Sequence, residues 1–203
     1  MIPDKPPFKL LDILYKKEFI LFVVLITILI INSNLTPYFL DLYNLIDSTF
    51  LFSEKAIIAL TMTFVIIARQ IDLSVASIIA VSSVVLGYTT SLGYDTWLVI
   101  SLTLLSGALC GAFNGAIITK FAIPSIIVTI GTMSLFRGLA YSFLEDSYYN
   151  KFPKIVSNLG SGYLFGYIPY AFLTFILLAL VFAFILHKTT VGKKIFSIGN
   201  NPD

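Results

Sequence analysis

The chain has 203 residues, 58% of them hydrophobic and only 12% charged, with a formal net charge of +2. A soluble domain carries about 25% charged residues, so an ordinary water-soluble globule is excluded, and the small net charge gives no footing for a nucleic-acid partner. The apolar residues fall in blocks of the length a helix needs to cross a bilayer, without the alternation of a barrel strand, which predicts an all-α polytopic transmembrane bundle of about six spans.

The first span is expected at about 19–35, ended by Asn34 and Pro37; no small-residue cleavage site follows it, so it reads as a retained span. The second is expected at about 54–69 and the third at about 73–92. Arg69, Gln70 and Asp72 interrupt the apolar run between them, so the two read as a broken pair. Asp72 is placed to cap the third helix, and Ser74 and Ser77 share a face beyond it. This break is a candidate gating hinge.

The fourth span, about 97–119, carries Gly107, Gly111 and Gly115 at every fourth residue beside a second row of Ala108, Ala112 and Ala116. Small residues at this spacing let membrane helices approach closely. Asn114 sits beside that groove, and a buried amide in lipid needs a partner. The fifth span, about 124–144, opens with Pro124 and carries Ser125, Thr129 and Thr132 as one polar stripe, with Arg137 deeper in the span. A charge within a span must be paired, snorkel or line an aqueous cavity. Asn114, Ser125, Thr129, Thr132 and Arg137 are thus the candidate lining of a translocation path. A loop at about 145–167, rich in Tyr, Gly and Asn, leads to the sixth span at about 168–187.

A cytoplasmic N-terminus puts Lys5, Lys9, Lys16, Lys17, Arg69, Lys120, Lys188, Lys193 and Lys194 inside and only Lys55, Lys151 and Lys154 outside, the bias expected of cytoplasmic loops. The organisation expected is a cytoplasmic segment at 1–18, a transmembrane region at 19–187 and the start of a cytoplasmic loop at 188–203. The sequence stops at Gly-Asn-Asn-Pro-Asp without a closing element, which reads as an interrupted protein.

Cys110 lies in an apolar block and His187 is the single histidine, so neither points to a metal site. An intramembrane enzyme would need paired acid–base groups at one depth, for which only Asp72 and Arg137 are candidates. There is no G-x-x-x-x-G-K-[ST] phosphate loop, so ATP hydrolysis is expected on another chain. A non-transporting membrane scaffold, using the glycine faces only for helix association, is the competing reading.

Four stretches carry a resemblance. They are Ile71-Asp72-Leu73-Ser74-Val75; Gly107 to Gly115 with Asn114; Ile123-Pro124-Ser125 through Thr129-Ile130-Gly131-Thr132 to Arg137-Gly138; and Thr190-Val191-Gly192-Lys193-Lys194 through Ile198-Gly199-Asn200-Asn201-Pro202. In this order they resemble the permease family of ABC importers for ribose, xylose, rhamnose and the autoinducer-2 signal, over nearly all of residues 54–203. Gln70 and Ala76 stand where that family has glycines. The resemblance implies a permease subunit of an ATP-driven importer in a bacterial inner membrane. It implies a second permease subunit, two cytoplasmic ATPases that bind the ATP and Mg, and a periplasmic sugar-binding protein. It also implies further spans beyond the Gly-Asn-Asn region, so that this chain is the N-terminal part of such a subunit.

Overall fold

The computed structural model describes residues 17–145 and 148–200. Most of the segment expected at 1–18, including Lys5, Lys9 and Lys16, lies outside the described residues, as do Asp146 and Asn201-Pro202. The described residues form eight helices and one two-stranded sheet.

Two compact units divide the chain, residues 1–48 and 49–203. In the first, α1 (Lys17–Leu35) matches the first expected span. Its Asn32 and Asn34 stay helical because their amides donate to the Ile28 and Ile30 carbonyls four residues back, both at 2.8 Å. Helix α2 (Leu42–Ile67) begins well before the expected 54, continuing from the first unit into the second. The reason is Asp41, whose Oδ2 accepts from the N–H groups of Tyr43 and Asn44 at 3.2 and 3.4 Å and so caps the helix.

In the second unit, α3 (Val75–Ser91), α4 (Thr96–Phe121) and α5 (Ser125–Leu144) pack on one another. A short helix α6 (Lys154–Ser161) and a hairpin, β1 (Tyr163–Leu164) and β2 (Ile168–Pro169), occupy the stretch expected as a loop. The strands pair antiparallel as Tyr163 with Pro169 and Leu164 with Ile168, around a turn with Phe165 and Gly166 both at positive φ. Helix α7 (Tyr170–Lys188) follows, then α8 (Thr190–Asn200), which packs on it. Edge-on pairs Phe52–Phe175 and Phe64–Phe182 join α2 to α7. Pro124, Pro153 and Pro169 each stand as the N-cap of the next helix, where a missing N–H leaves no gap.

The six expected spans thus correspond to α1, α2, α3, α4, α5 and α7. Five are long and apolar enough to cross a membrane, and α3, at 17 residues, is a shorter apolar helix. The side chains are distributed as lipid solvent demands. Large Leu, Ile and Phe residues face outward, whereas the buried set includes Ser53, Ser74, Ser77, Thr89, Asn114, Ser125, Thr129 and Thr132. The chain is an all-α, multi-pass membrane protein.

Candidate functional site

The site begins where α2 stops. Residue Arg69 takes a left-handed conformation, φ 57°. Its N–H donates to Ile66 O at 2.9 Å and that of Gln70 to Val65 O at 3.0 Å. These are the paired reverse bonds of a Schellman ending, which usually has glycine in the left-handed place. The left-handed residue is therefore Arg69 and not Gln70, so position 70 needs no glycine for this turn.

Three residues, 71–73, then run without helical bonding before Ser74, the N-cap of α3. Irregular backbone at membrane depth survives only when protein or enclosed water meets its polar groups. Here α5 does so. Ser125 Oγ accepts from the Ile71 N–H at 3.0 Å, and Thr129 Oγ1 donates to the Ile71 carbonyl at 3.3 Å. One helix face thus holds both main-chain groups of a single residue in the break. Asp72 closes the turn locally: its Oδ1 accepts from both the N–H of Ser74, at 2.8 Å, and the hydroxyl of Ser74, at 2.6 Å. Asp72 therefore caps at the N-cap residue Ser74 rather than at the first N–H groups inside α3.

Helix α4 supplies the third clamp. Asn114, 4% exposed, donates through Nδ2 to Ser74 Oγ at 2.8 Å. This network fixes the amide's orientation. The Ser74 hydroxyl proton is committed to Asp72, so its oxygen must accept, and the Asn114 nitrogen has to face it. Asn114 Oδ1 and Ser77 Oγ are buried without a partner. A cavity of about 340 Å³ opens beside the break, lined by Gln70, Ile71, Asp72, Asn114, Ser125 and Thr129 among others. No lining side chain except Asp72 carries a charge.

The structure thus gathers Asp72, Ser74, Asn114, Ser125 and Thr129 at one place. Thr132 is buried one turn further along α5, its hydroxyl turned back to the Thr129 carbonyl at 3.4 Å. Arg137 lines a different cavity. Of the three glycines on α4, only Gly107 meets another helix: a Cβ there would lie 3.2 Å from Ser82 Oγ on α3. Gly111 and Gly115 have nothing within 4 Å and open onto the cavity at the break.

Sequence reasoning missed the close seats of Gly87 and Gly199. A Cβ on Gly87 would fall 2.5 Å from the ring of Tyr149, and one on Gly199 would overlap the Ile67 carbonyl oxygen. The second places the end of α8 directly against the last turn of α2, beside the break.

Residues 44–203 match the family described as the branched-chain amino acid transport system / permease component. The chain belongs to this family. The autoinducer 2 import system permease protein LsrD of Klebsiella pneumoniae subsp. pneumoniae is 34% identical to this chain over 191 residues, 91% of this chain and 57% of its own length. The ribose import permease protein RbsC of Haemophilus influenzae is 32% identical over 187 residues, 89% and 57% of the two chains. The autoinducer 2 import system permease protein LsrC of Escherichia coli O9:H4 is 34% identical over 145 residues, 71% and 42%. The chain thus spans about half the length of the curated relatives it matches. No solved structure matches it.

Proposed function

We propose that the chain is a membrane-spanning permease subunit of an ATP-driven importer for a monosaccharide or an autoinducer-2-like signal, in a bacterial inner membrane with its N-terminus cytoplasmic. The observation that carries this reading is the break between α2 and α3. It is held by neutral hydroxyl and amide groups around a cavity inside a family of import permeases. A small hydroxylated solute needs partners that bind and also release it. Neutral hydrogen bonds of about 1 kcal/mol net suit that requirement.

In this reading Ser125, Thr129 and Asn114 support the wall of the route, and Thr132 stiffens the same face of α5. Movement of the break changes the cavity. The energy comes from two ATPase subunits that hold the ATP and Mg, a second permease subunit completes the pathway, and a periplasmic binding protein delivers the solute. A ligand-driven change requires different affinities in the two states, and a segment with no helical bonds of its own is the cheapest element here to rearrange.

The test is uptake in the source organism. Deletion of the gene is expected to abolish accumulation of labelled ribose or removal of autoinducer 2 from the medium. Restoration should follow from the wild-type gene, and weaker restoration, at least tenfold, from Thr129→Val with Ser125→Ala at matched membrane abundance. Unchanged uptake of both solutes on deletion defeats the importer reading. Full restoration by the double variant leaves the scaffold reading in place for these residues.

A further inference from the structure

A second cavity, about 500 Å³, lies between the middle of α3 and the Leu144 end of α5. Along α5 it is lined by Arg137, Tyr141 and Leu144, at the i, i+4, i+7 positions of one face. Ser83 of α3 lines it, as do Tyr148, Tyr149 and Phe152 from the segment after α5. Gly87 is what allows this segment to approach. With any side chain at 87, a Cβ would sit 2.5–2.6 Å from the Cβ, Cγ and Cδ2 of Tyr149, too near its backbone for a rotamer change to clear.

Arg137 lies two turns short of the Leu144 end of α5, about 10 Å at 1.5 Å per residue. That depth is within the reach of a long side chain towards the membrane surface. A guanidinium does not lose its proton in a protein. Its charge in or near hydrocarbon must therefore be met by an anion or by water. Among the described residues, none that lines the cavity is acidic. The planar fork matches phosphate or carboxylate oxygens two at a time, and Ser83, Tyr141, Tyr148 and Tyr149, which also belong to the lining, carry further hydroxyl donors. A neutral sugar would not require the charge.

We propose that the Arg137 cavity is a binding site for a phosphate-type oxyanion, carried either by a lipid headgroup or by a small soluble solute. Arg137 supplies the fixed charge, the tyrosines supply hydroxyl donors and an apolar wall, and Gly87 sets the position of the segment after α5. The site is distinct from the cavity at the break and does not rest on the transport reading.

The full chain in nanodiscs tests it in two arms. In the lipid arm, discs of phosphatidylcholine containing 10% phosphatidylglycerol are compared by native mass spectrometry for anionic lipid retained by the protein. In the soluble arm, ribose 5-phosphate and ribose are titrated against protein in pure phosphatidylcholine discs by calorimetry. The site is supported by retention of phosphatidylglycerol, or by ribose 5-phosphate binding at least tenfold tighter than ribose, provided that Arg137→Gln reduces it tenfold or more and Arg137→Lys less. The arm that responds identifies the source. Gly87→Val should weaken the same binding about tenfold with the guanidinium intact. If Arg137→Gln does not fold, the wild-type comparison of anionic with neutral ligand and the Gly87→Val variant decide. The proposal is overturned if neither arm prefers the anion, or if a folded Arg137→Gln chain binds it as the wild type does.

Discussion

The two cavities of the α3–α4–α5 group solve opposite problems with opposite chemistry. At the break, the chain itself is what needs solvation: the backbone at Ile71 has left its helix, and α5 returns both hydrogen bonds through Ser125 and Thr129. The groups doing this are short and neutral, and they are used up by the protein. At the other site Arg137 stands within the regular helix α5, a long charged side chain facing an open volume with no acid among the described residues of its lining. The lesson is that polar residues inside a membrane protein divide into those that satisfy the fold and those left over. Only the second kind is available to a ligand without rearrangement. At the break Asn114 Oδ1 and Ser77 Oγ are also left over, but they are fully buried, so the break must move to offer them to a solute, whereas the Arg137 cavity is already open.

The sharpest way to break this contrast is to remove both clamps on Ile71. Ser125→Ala with Thr129→Val leaves an N–H and a carbonyl unpartnered, at about 1–3 kcal/mol each, and is expected to lower stability by about 2–5 kcal/mol. Unfolding of the detergent-solubilised chain by increasing mole fraction of dodecyl sulfate measures it. A double variant within about 0.5 kcal/mol of wild type would show that Ile71 finds other partners and that these residues are spare.

Asn114 offers a graded version of the same question. Asn114→Asp replaces the donor that faces Ser74 Oγ with a carboxylate, next to an oxygen whose proton already goes to Asp72. The loss expected is about 3 kcal/mol, since a buried charge is left without a partner. Asn114→Ala removes one hydrogen bond but also the unpartnered Oδ1, so its cost is expected near 1 kcal/mol. The order of the two variants in the same unfolding assay is the measurement. Equal losses would mean that Asn114 acts by volume alone.

On the other side of the comparison, Gly87→Val overfills a contact between α3 and the segment after α5, at about 1–3 kcal/mol. Hydrogen exchange should rise at residues 148–152 and stay at the wild-type level at residues 68–74. Exchange rising at both would mean that the two cavities are mechanically one.

How much of this was legible before the structure differs between the same two regions. The spans were readable because lipid imposes a length and a composition. Asp72, Ser74, Asn114, Ser125 and Thr129 stood out because polar residues in apolar blocks are conspicuous. Which of them would meet was not readable, since Ser125 and Thr129 reach Ile71 across 54 and 58 residues of chain. That pairing is set by how α5 crosses α3, not by spacing along a helix. Thr132 looked eligible by spacing and Arg137 by its charge within a span, and neither lines the cavity at the break. The early start of α2 was hidden because Asp41 caps it far from the apolar block. Gly87 gave no signal, because its partner Tyr149 comes from a stretch that reads as loop.

The smallest expected effect has the opposite sign and tests whether the break is held open by its clamps or by its own backbone. A non-glycine residue in the left-handed region costs about 1 kcal/mol or more relative to glycine, and Arg69 carries that cost at φ 57°. Arg69→Gly should therefore stabilise the end of α2 by about 1 kcal/mol while leaving the Ser125 and Thr129 bonds in place. If the clamps alone define the break, this variant adds its gain independently of the Ser125→Ala and Thr129→Val losses, as distant sites do. If the gain disappears in the unclamped background, the left-handed turn exists only because α5 pulls Ile71 out of the helix. The bend at Arg69 and the grip on Ile71 would then be one cooperative element, as a hinge requires.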